Sequence, residues 1–523
     1  MKNLNKYKNN ILLFILLLVA AFFRLYKIQD YMTFLGDEGR DSLVVYNILH
    51  GHFTLLGPTA SVGGFFLGPI YYYFMAPFLL IFNYNPIGPA IMIALLGVAT
   101  VWLIYKVANE LFGKITAVVS ASLYAISPIV LAYSRSSWNP NPMPFFTLLL
   151  FYLLYKAVLS QNMRLYFICG VLLGIMMQLH YLTVFVVVIT AVFVLFVQIL
   201  PIVKNKKSHI IQIIVKNYAY ILGGFLVGWL PFLLFELKHG FLNIKSIINF
   251  IFHSGNTGGN THYFTIIISV YERLFTRLLT NFPEVQSAPV QAELTTVFWF
   301  YLSLLIGIMS TLLLFIQCMR LYNKKPKEFI AKSLFVLWLF IGVLLFGFYK
   351  KPIYDYYFEF LFPVPFLLVG NLAQEFYAFK IFGKVLVIGI IGWLILVNVQ
   401  KAPFLFQGNR QLAQAEEIAR FVDQKTNGKP FNFALITGAN SDHAYRYFFT
   451  VWHHEPVTIQ NAQVDQKRTT VTDQLLVICE SLPCYPLGDS LWEIAGFGRA
   501  DIAGVWDVSV VKVYKLIHYK GPS

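Results

Sequence analysis

Residues 9–41 read NNILLFILLLVAAFFRLYKIQDYMTFLGDEGRD, an apolar run of membrane-spanning length that leads into the acidic cluster Asp37, Glu38 and Asp41. A helix needs roughly 20 predominantly apolar residues to cross the hydrocarbon core of a bilayer. Acidic side chains beside hydrocarbon are costly unless they are paired, hydrated or used in chemistry. The stretch therefore predicts a membrane helix that delivers Asp37 and Glu38 to a functional position where the chain leaves the bilayer.

The rest of the 523 residues extends this reading: 58% are apolar, 17% aromatic and only 12% charged, and the mean hydropathy is +0.64. Such values exclude an ordinary soluble chain and describe a polytopic membrane protein. A net charge of +15 would suggest a nucleic-acid partner in a soluble protein, but here the basic residues stand in short breaks between apolar runs. They report topology, and nucleic acid is set aside.

Eleven spans are predicted, near 9–28, 87–112, 114–133, 142–159, 164–181, 182–203, 217–236, 294–319, 329–349, 355–373 and 380–399. Alternate breaks are basic: Lys2, Lys6 and Lys8; Lys106 and Lys114; Lys156 and Arg164; Lys204, Lys206 and Lys207; Arg320, Lys324, Lys325 and Lys327; Lys380 and Lys384. By the positive-inside rule these face the cytoplasm, together with the N-terminus. The alternation keeps its phase if 68–82 lies on the outer face, with Tyr71, Tyr72 and Tyr73 anchoring it at the interface. The C-terminus then lies outside. Arg24 and Lys27, at the outer end of the first span, and Lys350-Lys351 outside are accommodated by snorkelling. A cleaved signal peptide over 1–28 is the rival reading, but no small-x-small site precedes Arg24. Lys- and Asn-rich cytoplasmic segments without an organelle signal suggest a prokaryotic plasma membrane.

Cys169 and Cys318 fall in apolar spans and read as small hydrophobes, whereas Cys479 and Cys484 flank Glu-Ser-Leu-Pro in the outer compartment, where a local disulfide is allowed. No Cys/His spacing resembles a zinc site. The chain divides into a membrane domain, 1–401, with outward loops 29–86 and 237–293, and an extracytoplasmic α/β domain, 402–523. In the latter a helix is expected over Gln411–Gln424 and strands over Asn432–Thr437, Leu475–Cys479 and Asp507–Leu516. It has no Gly-rich phosphate loop and no nucleophile elbow, and His443, His453 and His454 read as surface or structural residues. The loop 237–293 reads as long and irregular, with the Gly-rich stretch His253–His262 for mobility and Arg273 and Arg277 for an anion.

The predicted topology gathers polar residues from almost every outward turn: Asp37, Glu38, Asp41, Tyr71, Tyr72, Arg135, Asn139, Asn141, His180, Tyr181, Arg273, Arg277, Lys350, Lys351, Tyr354, Asp355, Tyr356, Tyr357 and Glu359. Carboxylates supply a base, and Arg, Lys and His supply charge for a phosphate, a combination suited to transfer from a lipid-linked phosphate.

These residues resemble those of the GT-C type membrane glycosyltransferases, a glycosyltransferase family 39-like group related to protein O-mannosyltransferases and the lipid A aminoarabinose transferase. Asp37-Glu38 is similar to the family's loop-one Asp-Glu, Gly68-Pro69-Ile70-Tyr71-Tyr72 to its Pro-Pro-Leu-Tyr-Tyr element, and Tyr133-Ser134-Arg135 to its Ser-Arg. The resemblance covers most of residues 10–400; the C-terminal module matches in position and general character. Leu67 stands where the aminoarabinose branch commonly has Lys, and Asn139 or Asn141 where an Asp is expected.

The resemblance implies a GT-C fold and inverting transfer of a sugar from a polyprenyl-phosphate donor to a lipid, polysaccharide or protein acceptor outside the membrane. Asp37 is then the general base for the acceptor hydroxyl. Glu38 orients Asp37, binds the acceptor or holds an ion. Arg135, His180, Arg277 and Lys351 are candidates for stabilising the leaving phosphate, with Tyr71, Tyr72, Asn139 and Tyr356 as further substrate contacts. No cofactor is required by these roles, and a divalent metal ion at the acidic pair stays open. Plainer readings stand beside them: a solvated loop for Asp37-Glu38, a headgroup contact for Arg135, a helix-end role for His180, ordinary loop charges for Arg277 and Lys351. A transporter or lipid flippase would share the many spans, but it usually has midplane ionisable groups and internal repeats. A scaffold that displays the C-terminal module leaves the polar cluster unexplained.

Overall fold

The computed structural model describes all residues except 1, 61, 201–209, 254, 256, 259–260, 283–293, 520 and 522–523, and no side chains for 2–9 and 294–296. The Lys2, Lys6 and Lys8 side chains, Lys204, Lys206 and Lys207, and part of the His253–His262 stretch lie outside the described residues.

Over its described residues, each predicted span coincides with helix. These are Lys2–Leu25, Ile87–Leu111, Lys114–Ile126 with Pro128–Tyr133, Met143–Ser160, Met163–Leu179 and Thr183–Ile199. Then come Ile210–Gly228 with Leu230–His239, Leu294–Leu321, Pro326–Leu344, Asp355–Leu361 with Pro363–Tyr377, and Ile381–Gln400. Among the described residues six helices are long and apolar enough to cross a bilayer, and the pair Asp355–Leu361 and Pro363–Tyr377, bent by 54°, makes a seventh. The others are shorter or broken. The chain is a multi-pass membrane protein.

The breaks follow from local chemistry. Pro128 has no N–H, so the helix stops at Ile126 and the carbonyls behind it lose their donors. Arg24 replaces them: its Nη1 donates to Ala125 O at 3.0 Å and its Nη2 to Tyr124 O at 3.5 Å, with the side chain fully enclosed. The snorkelling expected for Arg24 is thus corrected, because its guanidinium satisfies a broken helix inside the protein. Glycine decides how close neighbours come. Gly170 and Gly174 of Met163–Leu179 face Gly224 and Gly228 of Ile210–Gly228, and an added methyl at any of the four would overlap the opposite backbone. Such small-xxx-small faces let membrane helices meet at van der Waals distance.

Two expectations about the outward segments change. The described part of 237–293 is mostly helical: after Leu230–His239 it forms Leu242–Phe252 and Tyr263–Thr280. Glu236, fully buried, accepts from Asn243 Nδ2 at 3.0 Å and the Ile244 N–H at 3.0 Å, tying the corner at Gly240, whose φ is 69°. In Tyr263–Thr280, Val270, Leu274, Phe275, Leu278 and Leu279 form a buried stripe that Glu272, Arg273 and Arg277 interrupt in sequence. The stretch 68–82 contains the helix Ile70–Ile81, but Tyr71 and Tyr72 point into the protein and are at most 2% exposed, so they do not anchor it to an interface. Further ionisable groups are buried near the ends of spans. Lys332 is buried, donating to Asn371 Oδ1 at 3.0 Å, and Glu359 is buried too.

The C-terminal part forms a four-stranded sheet of order β1-β2-β4-β3, with β1 Asn432–Ile436, β2 Gln474–Cys479, β3 Ala500–Val508 and β4 Val511–His518. β1 and β2 run parallel; β4 is antiparallel to β2 and β3. The single strand expected over Asp507–Leu516 is a hairpin, because Ser509, at φ 53°, turns the chain. Cys479 and Cys484 form the disulfide that the spacing allows. The helix Gln411–Thr426 and the helix His443–Val451 lie on the side toward the membrane part, and the latter packs on Gly36–Leu49. Phe34 meets the Tyr447 and Phe448 rings at 6.1 and 5.8 Å, the Arg410 N–H reaches Asp30 O at 3.0 Å, and Tyr447 donates to Tyr84 O. One buried cluster runs through both parts.

Candidate active site

The first span turns at Met32 and restarts as Gly36–Leu49, with Asp37 and Glu38 in its first turn, where the helix dipole favours negative charge. Glu38 folds back: its Oε2 accepts the Leu35 N–H at 3.0 Å, and the side chain is buried. Burial raises its carboxyl from 4.5 to about 7. Asp37 is 56% exposed and pairs with Arg40 at 2.8 Å. Arg40 also binds Asp41 at 2.8 Å, and Tyr72 donates to that same Asp41 oxygen at 3.3 Å. Asp41 is buried, and desolvation outweighs the Arg40 attraction, raising its carboxyl to about 6. Behind it, Tyr71 and Ser137 share a hydrogen bond of 2.7 Å.

Asp37 and Glu38 line a polar cavity of about 530 Å³. Its other walls are Thr33 and Leu35, the stretch Ala132–Asn141 through Tyr133, Ser136, Trp138 and Asn141, and Ala439, Asn440 and Ser441 from the C-terminal module. Asn141 holds its own turn by donating to Tyr133 O and Ser136 O at 2.6 and 2.7 Å. On the far side of Trp138, whose ring centroid is 4.5 Å from that of Tyr356, lies a second hollow of about 430 Å³ containing Lys351, Tyr354, Tyr356 and Tyr357. Tyr349, 3.3 Å from Tyr181 through their hydroxyls, leads on to an apolar groove of about 530 Å³. Phe65, Leu67, Phe185, Trp229, Phe232 and Phe250 line it.

The residues named from sequence divide accordingly. Asp37 and Glu38 share the polar cavity; Lys351 and Tyr356 share the adjoining hollow. His180 is buried, stacked on Tyr181 at 4.7 Å, with its Nδ1 accepting the Leu182 N–H at 3.2 Å. Its ring centroid is 6.1 Å from that of Tyr356. Tyr71 and Tyr72 stand behind the acidic helix, not on the cavity wall.

Four residues are engaged elsewhere. Arg135, 1% exposed, donates to Phe23 O at 2.6 Å and Tyr26 O at 2.8 Å, closing the end of the first span. Arg277 binds Asp355 Oδ2 at 2.7 Å, and Arg273 binds Oδ1 of the same carboxylate at 2.6 Å. Both guanidinium groups thereby brace the turn before Asp355–Leu361. Asn139 donates to Leu179 O at 2.6 Å, joining two turns. Sequence reasoning missed Trp138, Asn440 and Ser441. An aromatic residue amid the polar run Ser134–Asn141 is a signal for Trp138, but nothing local to Asn440 points to a cavity so distant in the chain.

Among the described residues no group of three or more His, Cys, Asp or Glu side chains is placed to hold a metal ion. In the acidic cluster Arg40 occupies the position between Asp37 and Asp41.

Residues 67–217 match the dolichyl-phosphate-mannose-protein mannosyltransferase family. No curated protein sequence matches the chain. The structure is similar to ArnT from Cupriavidus metallidurans bound to undecaprenyl phosphate, with a TM-score of 0.57 and 11% identity over 97% of both chains. It is similar to the oligosaccharyltransferase AglB from Archaeoglobus fulgidus in complex with an inhibitory peptide and a dolichol-phosphate, with a TM-score of 0.54 and 14% identity over 90% of this chain and 69% of that one. A structure of the archaeal oligosaccharyltransferase with Zn and sulfate gives a TM-score of 0.52 at 14% identity over 89% and 67%. The match to ArnT over 97% of both chains and that to AglB over 90% of this chain, together with the helix order and the C-terminal sheet, give this multi-pass membrane protein the GT-C fold.

Proposed function

We propose that the protein is a glycosyltransferase that moves a sugar from a polyprenyl-phosphate to an acceptor hydroxyl at the outer face of the membrane, with inversion. One observation carries this reading: a cavity lined by Asp37 and Glu38 is separated by the Trp138–Tyr356 ring pair from Lys351 and an apolar groove. The groove suits a polyprenyl tail, Lys351 in the neighbouring hollow suits the phosphate, and aromatic faces between phosphate and carboxylates suit a sugar ring. Undecaprenyl phosphate and dolichol-phosphate bound to ArnT and AglB support the same donor class.

Asp37 acts as the base. Its carboxylate is accessible and Arg40 holds one oxygen, so the other is free to take the acceptor proton, a contribution of typically about 10²–10⁴ in rate. The acceptor oxygen attacks the anomeric carbon as the bond to phosphate breaks, and the lipid phosphate leaves with the bonding pair. Lys351 offsets the charge that grows on it. Glu38, with one oxygen on the Leu35 N–H, holds the helix start and flanks the acceptor.

The test is transfer from a radiolabelled polyprenyl-phosphate sugar by the purified full chain. Asp37→Asn is expected to lower kcat by about 10²–10⁴ while donor binding persists. Transport of the lipid across a vesicle membrane without transfer would overturn the reading in favour of a transporter.

A further inference from the structure

The acidic helix is held from outside its own domain. The Gly36 N–H, one of the donors that a helix start leaves without an intrahelical partner, is accepted by Asn440 Oδ1 at 2.9 Å. The same oxygen accepts the Ser441 N–H at 2.9 Å. Asn440 Nδ2 lies 3.0 and 3.2 Å from the two oxygens of Glu480, so the amide has one satisfied orientation: oxygen toward Gly36, nitrogen toward the carboxylate. Glu480 is fixed in turn by Thr437 Oγ1 at 2.7 Å and Tyr445 OH at 2.8 Å, and its N–H joins Ile436 O at 2.9 Å at the end of the sheet.

All three side chains facing Glu480 donate to it, a task for an acceptor-only group. Glu480 itself does not reach the Asp37 cavity. It lines a separate hollow of about 560 Å³ on the other side of the Thr437–Asn440 turn. The approach at Gly36 has no slack, since a methyl there would overlap Ser441 Oγ and come within 2.9 Å of the Ser441 N. A displacement of about 1 Å at a reacting group costs on the order of 10² in rate, so what fixes the residue before Asp37 bears on the chemistry.

Resting on the glycosyl-transfer reading for its kinetic part, we infer that Glu480 and Asn440 are positioning residues: the C-terminal module sets the place of Asp37 and Glu38 through the Glu480–Asn440–Gly36 hydrogen-bond chain. The module is therefore part of the acceptor half of the site.

The test uses the full chain in detergent with Asn440→Asp, Glu480→Gln and the double variant. Two readouts are taken: amide hydrogen exchange over residues 33–40, and transfer from a radiolabelled polyprenyl-phosphate sugar. Asn440→Asp sets two carboxylates against each other and is expected to speed exchange about tenfold and lower kcat about tenfold, with donor KM unchanged. The double variant is expected to return both toward the parent, because the amide introduced at 480 donates to the carboxylate introduced at 440. If Asn440→Asp does not fold, folding and parent-like exchange in the double variant are the expected rescue. Parent-like exchange in Asn440→Asp, or a double variant as impaired as the single, would overturn the inference. Absence of transfer in the parent would remove the glycosyl-transfer reading alone, and the exchange comparison would still decide this one.

Discussion

Trp138 and Tyr356 meet with ring centroids 4.5 Å apart and 59° between planes, forming the wall between the carboxylate cavity and the hollow that holds Lys351. In the proposed transfer, a sugar passing from phosphate to acceptor lies along these rings. Tyr356→Ala removes one face and is expected to raise donor KM about tenfold, equivalent to ~1.4 kcal/mol, with a smaller change in kcat. Initial rates against donor concentration check this; an unchanged KM would place the sugar elsewhere.

Arg135 is expected to matter for folding rather than for phosphate. Its two donors close carbonyls of Phe23 and Tyr26, and Lys has a single charged nitrogen in place of the planar fork. Arg135→Lys therefore leaves a buried acceptor poorly satisfied, at about 1–3 kcal/mol. Thermal unfolding in detergent should shift down while donor KM stays at the parent value. The reverse pattern would return Arg135 to the phosphate.

Glu38 gives the protein a pH dependence of definite sign. With its carboxyl raised from 4.5 to about 7, the folded chain holds that proton more tightly than the unfolded chain. The resulting stability is fully present below 4.5 and is lost as pH rises through about 7, an effect of order 3 kcal/mol. Glu38→Gln keeps an oxygen for the Leu35 N–H and removes the titration. Its unfolding temperature should match the parent near pH 5 and exceed it near pH 8; parallel curves across that interval would refute the assignment.

The proposed sidedness can be read directly. Single cysteines replacing Lys351, Ser441 and Lys324, in a chain cleared of Cys169 and Cys318, should react with a membrane-impermeant maleimide from outside intact cells at the first two positions and not at the third. Labelling of 351 and 441 from opposite faces would separate the phosphate hollow from the acidic cavity and end the catalytic proposal.

The sequence alone determined that this is a helical membrane protein with an acidic turn after its first span and a small C-terminal α/β part. A bilayer forces that legibility, because backbone groups in hydrocarbon must be satisfied within each apolar run, and run length is a local property. Asp37-Glu38 was legible for a related reason, standing as costly charges immediately after such a run. Interruptions hid other elements: Glu272, Arg273 and Arg277 disguised the buried stripe of Tyr263–Thr280 as a loop. Only the tertiary structure decided which polar residues are committed elsewhere. Arg135 is committed to carbonyls of the first span, Arg273 and Arg277 to Asp355, and Tyr72 to Asp41. It also brought Trp138 to Tyr356 and Asn440 to Gly36. Whether a side chain is open to a ligand depends on partners supplied by distant segments, and those pairings are set by how helices and module pack, which no local pattern encodes.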